Sequence, residues 1–409
     1  MIKSIVRLSS LLIGVAILLT GHGLQLAYLP LRSQLNGWSS IQIGYLSSGY
    51  FVGFLLGCFL VPALVTRIGH IRCFATLTAS LTAVLLALSL SDIFMFWFLL
   101  RVISGITIVG LYLIIESWLN EQVTNDFRGR VLSAYTAIVL SGLALGQLLL
   151  NVADPTGDRL FILAAMLVVL AAIPVCVTRS EQPTRIPGAS FSPTLVINTS
   201  RAATSGSLTG GLILGSYYGL GPVYGLQSGM SVGAISAMMA LGIGGGAVTQ
   251  VPLGRLSDRL DRRVVILGIM LVGAVTCAFA LLLPQSTVPF IMFIFGGCVM
   301  PIYALSLAHA SDASENSNFL EIGTGLLLIN AVGSILGPIL TAWLMSSYGA
   351  GMFFAVQLCV LLAGAALMFF FIKTRGRQEV STTFKPATSA SAQGALELDP
   401  RTEISENRF

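Results

Sequence analysis

Charge is scarce in this sequence, and the scarcity limits the class of protein that it can encode. Only 10% of the residues are charged and 55% are hydrophobic, whereas soluble domains carry about 25% charged residues. A soluble fold cannot bury this much apolar surface, but a lipid bilayer can cover it. We therefore expect an integral membrane protein with the bilayer as its solvent.

Side chains that commonly serve catalysis or metal binding are also few. The three histidines, His22, His70 and His309, lie far apart in sequence, and the six cysteines form no CxxC pair. The sequence has no GxxxxGK[ST] motif of the kind that binds nucleotide phosphates. We therefore expect no enzyme activity, no ATP-driven pumping, no cofactor, no metal site and no disulfides.

The net charge of +5 is compatible with nucleic-acid binding, but the distribution of the basic residues is not. They lie between apolar runs instead of on one surface, so we interpret them as topology signals and expect no nucleic-acid partner. If the N-terminus lies inside, 19 of the 22 lysines and arginines fall in inside segments. This bias predicts a multi-pass protein of the bacterial inner membrane with both termini in the cytoplasm.

Twelve apolar runs are long enough to cross a bilayer as helices, at about 20 residues each. The first run follows Lys3 and Arg7 but is too long for a signal peptide and lacks a cleavage site, so we expect an uncleaved span. A polar stretch at 179–202 separates six runs from six and predicts a cytoplasmic linker. The tail at 373–409 has too little apolar surface to fold, and we expect it to be disordered. The runs lie near 8–30, 41–66, 72–91, 93–119, 131–152, 159–178, 203–224, 232–254, 263–283, 288–310, 321–345 and 349–372.

An internal repeat divides the sequence at this linker. Glycine, proline, serine and arginine positions of the first half recur 192 residues later in one register without a gap. A shared register is stronger than any single identity, because glycine matches arise easily by chance in a glycine-rich chain. The predicted fold class is all-α, with twelve transmembrane helices in two pseudo-symmetric six-helix bundles, 1–178 and 203–372. The matched pairs are Gly23 with Gly215, Pro30 with Pro222, Gly37 with Gly229, Ser39 with Ser231, Gly53 with Gly245 and Arg67 with Arg259.

The loop after the eighth run carries a pattern that resembles a known family. The loop signature of the major facilitator superfamily runs roughly Gly-x-x-x-Asp-Arg-x-Gly-Arg-Arg, and Asp261 stands in place of its second glycine. In the first half the pattern is degraded, with Pro62 and Thr66 at the first glycine and the aspartate. The matching residues of the second half are Gly254, Asp258, Arg259, Arg262 and Arg263.

Two further motifs resemble those of the same superfamily. Arg101-x-x-x-Gly105 in the fourth run resembles its second motif, and Gly333-x-x-x-Gly337-Pro338 in the eleventh run resembles a third. Within the superfamily, the runs Glu116-Ser117-Trp118, Arg128-Gly129-Arg130 and Pro301-Ile302-Tyr303 most resemble the uncharacterised YcaD-like branch. The resemblance implies a secondary transporter that works by alternating access, in which two six-helix bundles rock about a site near mid-membrane.

The resemblance also implies that the first, fourth, seventh and tenth runs line a substrate cavity. In the repeat, Gln25 corresponds to Tyr217, and Tyr112 corresponds to Tyr303 at an offset of 191. His22 lies one helical turn from Gln25 on a similar face. The predicted cavity residues are His22, Gln25, Arg101, Tyr112, Tyr217, Tyr218, Tyr303 and Asn330.

Apart from residues at the first positions of runs, Arg101 and Glu116 are the two formally charged residues within the runs. A charge at the bilayer centre costs about 2.5–3.5 kcal/mol, so it needs a partner or water. Arg101 favours an anionic or zwitterionic small molecule as the substrate, whereas we expect Glu116 to pair with basic residues of a cytoplasmic gate. The predicted gate residues are Arg67, Arg72, Glu116, Glu121, Arg128, Arg130, Asp258, Arg259, Arg262, Arg263 and Asp312.

The sequence leaves open whether transport is coupled to an ion and in which direction the substrate moves. His22 can exchange protons in a useful range, so proton coupling competes with facilitated diffusion and with exchange. Uptake of a polar metabolite competes with efflux of amphipathic compounds. The alternative to a transporter is a non-transporting membrane sensor or scaffold on the same fold, which would carry a folded signalling domain that the polar tail cannot form. We expect a monomer in the lipid bilayer.

Overall fold

The computed structural model describes residues 2–122, 128–177, 193–313 and 319–374, together with Phe384, Pro386 and Ala387. In this part of the chain there are fifteen α-helices and two short 3₁₀ turns, and no strand. The 3₁₀ turns span Leu149–Asn151 and Gln285–Thr287. The helices are α1 (Ile2–Leu35), α2 (Ser40–Ile68), α3 (His70–Leu88), α4 (Phe94–Gln122), α5 (Arg128–Leu148), α6 (Arg159–Leu170), α7 (Ala172–Val177), α8 (Pro193–Thr199), α9 (Arg201–Gln227), α10 (Val232–Arg259), α11 (Arg262–Leu282), α12 (Val288–Val299), α13 (Pro301–Ala313), α14 (Phe319–Tyr348) and α15 (Met352–Thr374).

Eleven helical segments of the described chain are long and apolar enough to cross a membrane. The seventh of the twelve predicted runs, which forms α9, is not among them, because its glycines, serines and tyrosines lower its hydropathy. α9 has 27 residues, and at a rise of 1.5 Å per residue it is about 40 Å long, which also suffices to cross. Most of α9 is buried, so it contacts other helices in place of lipid, and small residues permit that close packing.

Two turns at one end of the molecule have the same structure in each half. Gly37 between α1 and α2 has φ 79°, and Gly229 between α9 and α10 has φ 77°, a conformation that residues with a β-carbon rarely adopt. Ser39 caps α2 and Ser231 caps α10, each by accepting a hydrogen bond from the backbone N–H three residues later. We call this end of the molecule the turn face. The sequence repeat is therefore also a structural repeat.

Helices cross at equivalent glycines in both halves. A β-carbon on Gly53 would collide with the backbone of α4, and one on Gly245 would collide with the backbone of α12. In the same way, Gly23 lies against the backbone of α5, and Gly215 lies against that of α14. Small residues at crossings let helix backbones approach closely in a bilayer. The fold is thus all-α, with two pseudo-symmetric helical bundles, which comprise α1–α7 and α9–α15.

The loops that carry the signature pattern lie at the opposite end of α2 and α10, which we call the motif face. There α10 ends at Arg259, and Asp261 caps α11 by accepting a hydrogen bond of 2.9 Å from the backbone N–H of Arg263. Burial of Asp261 alone would raise the pKa of its carboxyl group, but hydrogen bonds and the positive charge of Arg263 lower that pKa overall. Asp261 is therefore an anion at the N-terminus of α11, where the helix dipole stabilises negative charge.

The linker and the tail are described only in part. Of the predicted linker, residues 179–192 lie outside the described part of the chain, and Pro193–Thr199 form α8. The predicted tail begins within the last turn of α15, which extends to Thr374. Beyond α15, the structure describes three residues, of which the last two are buried between the halves: Phe384, Pro386 and Ala387. The expectation of disorder for the rest of the tail concerns residues outside this description.

Candidate functional site

A cavity lies between the two halves. Its empty space, including the part open to solvent, is ≈ 810 Å³. A mostly apolar wall with a few polar groups is typical of small-molecule sites. The lining residues are His22, Leu26, Tyr50, Phe51, Phe54, Tyr112, Leu140, Leu143, Leu214, Tyr218, Gln250, Met300, Leu327, Asn330, Ala331, Ser334 and Ala387.

Contacts between the halves close the cavity toward the turn face. Ser48 on α2 donates a hydrogen bond of 2.6 Å to the carbonyl oxygen of Ile335 on α14. Gln227 at the end of α9 donates one of 3.0 Å to the Ser40 hydroxyl at the start of α2. Among the described residues, every hydrogen bond that directly joins the membrane helices of the two halves lies on this side of the molecule. The described conformation is therefore closed at the turn face.

Buried polar side chains of the first half form a cluster at the cavity wall, which we call the His22 cluster (His22, Gln25, Tyr50 and Arg101). His22 Nδ1 lies 3.4 Å from Gln25 Oε1, and His22 Nε2 lies 3.2 Å from the Tyr50 hydroxyl. Because an amide oxygen only accepts, the geometry fits a neutral imidazole that donates from Nδ1 and accepts at Nε2. Gln25 in turn donates to the Ser104 hydroxyl at 3.2 Å. Burial and these bonds fix the orientation of the imidazole.

Arg101 contributes a buried cation to this cluster. Its side chain is 3% exposed, and its Cζ lies 4.6 Å from the centroid of the Tyr50 ring. This cation–π contact stabilises the guanidinium, but it satisfies no N–H group. Arg101 Nε and Nη1 are buried and have no hydrogen-bond acceptor among the described residues. A buried charge in this condition is costly, so the site is suited to an added anionic group.

The crossing of α2 and α4 explains how the Arg-x-x-x-Gly motif builds this contact. A β-carbon on Gly105 would collide with the carbonyl oxygen of Tyr50, so only glycine lets α4 approach α2 at this point. Arg101 lies one turn before Gly105 on the same helix face. The close crossing therefore holds the guanidinium against the Tyr50 ring.

The structure brings together six of the eight predicted cavity residues. Gln25 and Arg101 lie behind the wall and contact it through His22 and Tyr50. Asn330 is held by a hydrogen bond of 2.9 Å from its Nδ2 to the Ser207 carbonyl oxygen. The predicted residues that line the cavity directly are His22, Tyr112, Tyr218 and Asn330.

Tyr217 and Tyr303 are not among the described residues that line the cavity. The Tyr217 hydroxyl donates a hydrogen bond of 2.5 Å to the Met239 carbonyl oxygen, and its ring packs on Gly242 of α10. Tyr217 is therefore turned toward a neighbouring helix of its own half, which corrects the expectation from the repeat. The hydroxyl of Tyr303 is buried and has no hydrogen-bond partner among the described residues.

Sequence reasoning missed Tyr50 and Gln250. Gln250 is a polar residue within the eighth apolar run, and this signal could have identified it. Tyr50 has no sequence feature that separates it from the aromatic residues that only pack. Ala387 lies in the polar tail, where no pattern predicts contact with a cavity.

At the motif face, the described ion pairs all lie within the second half. Arg262 is buried and contacts Asp258 at 3.1 Å and Asp312 at 2.7 Å, and Arg263 contacts Asp261 at 2.7 Å. These pairs join the ends of α10, α11 and α13. They stabilise the second half and do not connect it to the first.

The other predicted gate residues are distributed between the surface and the interior. Glu116 is buried and accepts a hydrogen bond of 3.1 Å from the Tyr135 hydroxyl. The side chains of Glu121, Arg128 and Arg130 lie outside the described part of the chain. The residues exposed at the motif face are Arg67, Arg72 and Arg259.

Comparison with known proteins identifies the family. The model of the Major Facilitator Superfamily matches residues 11–320 and 231–405. The uncharacterized MFS-type transporter YcaD of Salmonella arizonae is 31% identical over 330 residues, which cover 79% of this chain and 84% of that protein. This chain therefore belongs to the Major Facilitator Superfamily, and more specifically it is similar to the YcaD transporters.

Solved structures agree on the fold. The nucleoside transporter NupG superposes with a TM-score of 0.74 at 12% identity, over 90% of this chain and 100% of NupG. A bacterial homologue of the human lysosomal transporter Spinster superposes with a TM-score of 0.73 at 16% identity, over 90% of this chain and 98% of that protein. The family, the fold and the central cavity together define a membrane transporter with a small-molecule substrate.

Proposed function

We propose that this protein is a secondary transporter that moves a small anionic or zwitterionic molecule across the bacterial inner membrane by alternating access. The observation that carries the proposal is Arg101, a buried cation with two guanidinium nitrogens that have no acceptor among the described residues. Such a group is retained in a membrane at considerable cost, which a ligand anion would offset.

Carboxylate or phosphate oxygens are the natural partners of a guanidinium, because they accept two parallel N–H bonds. The Tyr50 ring lies between Arg101 and the cavity. Rotation of Tyr50 about its Cα–Cβ bond would give a ligand in the cavity access to the guanidinium. The amino group of a zwitterion would then meet the faces of Tyr112 and Tyr218, where cation–π contact is favourable.

We also propose that proton uptake at His22 accompanies substrate binding. His22 stacks on Tyr50 with 5.7 Å between ring centroids, and Arg101 contacts the same ring. A proton on His22 would add a second positive charge near Arg101 in a medium of low dielectric constant, where like charges repel strongly. An anion at Arg101 would remove most of this repulsion, so that anion and proton would bind together.

Charge bias in the sequence supports a cytoplasmic motif face. In that orientation, the described conformation is closed toward the outside. Both halves that enclose the cavity come from one chain, which supports a monomer as the functional unit.

The proposal is tested with a thermal-shift screen of the purified protein against anionic, zwitterionic, neutral and cationic metabolites. A ligand that binds the folded state raises its stability, so we expect anions or zwitterions to raise the melting temperature. The Arg101→Gln variant should lose this shift, and the Arg159→Gln variant, altered at an exposed arginine, should keep it. Stabilisation by cations alone, or an unchanged shift in Arg101→Gln, contradicts the proposed substrate class.

Uptake into proteoliposomes then tests coupling. With a ligand from the screen, we expect an inward proton gradient to accelerate transport by the wild type but not by His22→Gln. Equal acceleration in both proteins contradicts the role of His22.

A further inference from the structure

A segment of the C-terminal tail lies against α10 between the two halves. The backbone N–H of Phe384 donates a hydrogen bond of 2.9 Å to Asp258 Oδ1 at the motif face. Gln250 Nε2 donates one of 2.6 Å to the carbonyl oxygen of Ala387. Asp258 and Gln250 are eight residues apart on one helix, which corresponds to about 12 Å along its axis. The described tail residues therefore extend from the motif face, at Phe384, to the cavity, where Ala387 forms part of the wall.

The same segment also contacts the first half. Thr136 on α5 is buried, and its hydroxyl donates a hydrogen bond of 3.4 Å to the carbonyl oxygen of Pro386. Thr136 and Gln250 thus reach the tail from opposite sides, and each donates to a backbone carbonyl group. At this level the described tail residues lie between α5 and α10, whose direct hydrogen bond, from Ser236 to the Gln147 carbonyl oxygen, lies nearer the turn face.

A glycine of the signature pattern lies directly against the tail. A β-carbon on Gly254 would collide with the Phe384 ring. Any larger residue at position 254 would therefore displace the aromatic side chain that anchors the segment. Since a partly buried aromatic ring contributes substantial apolar contact area, Phe384 is the principal apolar anchor among the described tail residues.

We propose that residues 384, 386 and 387 form part of an intramolecular plug, which closes the motif-face entrance to the cavity while it holds the halves apart at that face. The plug blocks ligand exchange with this side of the membrane. It must also leave before the halves can close there. Its position follows from the contacts above, and its effect on transport rests on the proposed alternating access.

Cross-linking tests the position of the plug. A β-carbon built on Gly254 lies 2.5 Å from Cγ of Phe384, so cysteines at both positions would fall close to the separation that a disulfide requires. In a full-length chain whose native cysteines are replaced, we expect Gly254→Cys with Phe384→Cys to cross-link on mild oxidation. Gly244→Cys with Phe384→Cys is the matched control, because Gly244 lies on the same helix with open space around it. Absence of the first cross-link, or equal cross-linking in both pairs, overturns the proposal.

Cysteine labelling tests whether the plug limits access to the cavity. In the same cysteine-replaced background, purified in detergent, Ala331→Cys in the cavity wall is treated with a bulky water-soluble maleimide. We expect removal of residues 381–409 to increase the labelling rate at least several-fold, and Phe384→Asp in the full chain to do the same. Arg67→Cys, exposed at the motif face, should label at one rate in all three proteins. Equal rates at Ala331→Cys contradict a plug. The labelling rates are measured without a substrate, so the result can support the plug even if the transport proposal fails.

Discussion

Gln250 of α10 donates a hydrogen bond of 2.6 Å to the carbonyl oxygen of Ala387, a residue 137 positions later in the chain. Gln250 is 3% exposed and is one of the few polar side chains of the cavity wall. In the described conformation, its amide donor is therefore directed to the protein's own tail. A ligand in the cavity has to bind beside the tail or displace it.

Removal of the tail should therefore raise the apparent affinity for ligand. If only a fraction of molecules has the cavity free, the apparent dissociation constant is the intrinsic constant divided by that fraction. We expect a chain that ends at residue 380 to bind a ligand from the thermal-shift screen several-fold more tightly than the full chain. Titration of both proteins by calorimetry measures the difference. An unchanged or weaker affinity in the shortened chain argues against competition between tail and ligand.

Arg262 should be important for the stability of the second half. It is buried and contacts Asp258 and Asp312, and breaking a buried ion pair by removal of one partner typically costs about 3–5 kcal/mol. We expect Arg262→Ala to lower the melting temperature strongly. Arg259→Ala, altered at an exposed position three residues earlier, should change stability by less than about 0.5 kcal/mol. Equal melting temperatures for the two variants would show that these ion pairs do not stabilise the fold.

Gly53 should not tolerate a side chain. A β-carbon there would collide with the carbonyl oxygen of Val102, which would push α2 and α4 apart and separate Arg101 from Tyr50. We expect Gly53→Ala to reduce both the melting temperature and ligand binding. The control is Gly244→Ala, where a β-carbon meets no atom within 4 Å. If Gly53→Ala binds ligand as the wild type does, the close crossing is not needed to build the site.

Gly44 should affect the equilibrium between conformations that are closed and open at the turn face. A β-carbon on Gly44 of α2 would lie 2.5 Å from that of Ala342 on α14, in the other half of the molecule. A leucine at this position would therefore oppose closure at the turn face. We expect Gly44→Leu to increase maleimide labelling of a cysteine at Ser47, on the same side of α2, relative to the protein with Gly44. Unchanged labelling would mean that the halves do not separate at this face.

The sequence predicted the scaffold well because the repeat constrains backbone geometry. Gly37 and Gly229 were paired by register alone, and both have positive φ at equivalent turns. Gly53 and Gly245 were paired in the same way, and both lie at helix crossings. Only glycine satisfies such positions, so identity in the sequence corresponds directly to identity in the structure.

The candidate site was less predictable because side-chain direction does not follow the repeat. Gln25 contacts the cavity wall through His22, but its counterpart Tyr217 is turned toward Met239. A buried tyrosine hydroxyl usually finds a hydrogen-bond partner, and the Tyr217 hydroxyl finds it in a carbonyl group of its own half. The packing of Ala387 depends on a long-range contact of a polar segment, which periodicity cannot reveal.

The central claim is that the two halves rock about the cavity between them. Spin labels at Arg67 and Arg259 report the distance between the halves at the motif face, and labels at Leu35 and Ser228 report it at the turn face. The most direct test is to measure both distances by pulsed electron paramagnetic resonance. The sample is the chain that ends at residue 380, with a ligand from the screen. The account predicts that a population appears in which the motif-face distance is shorter and the turn-face distance is longer. Distances that stay fixed, or that change in the same direction at both faces, would contradict it.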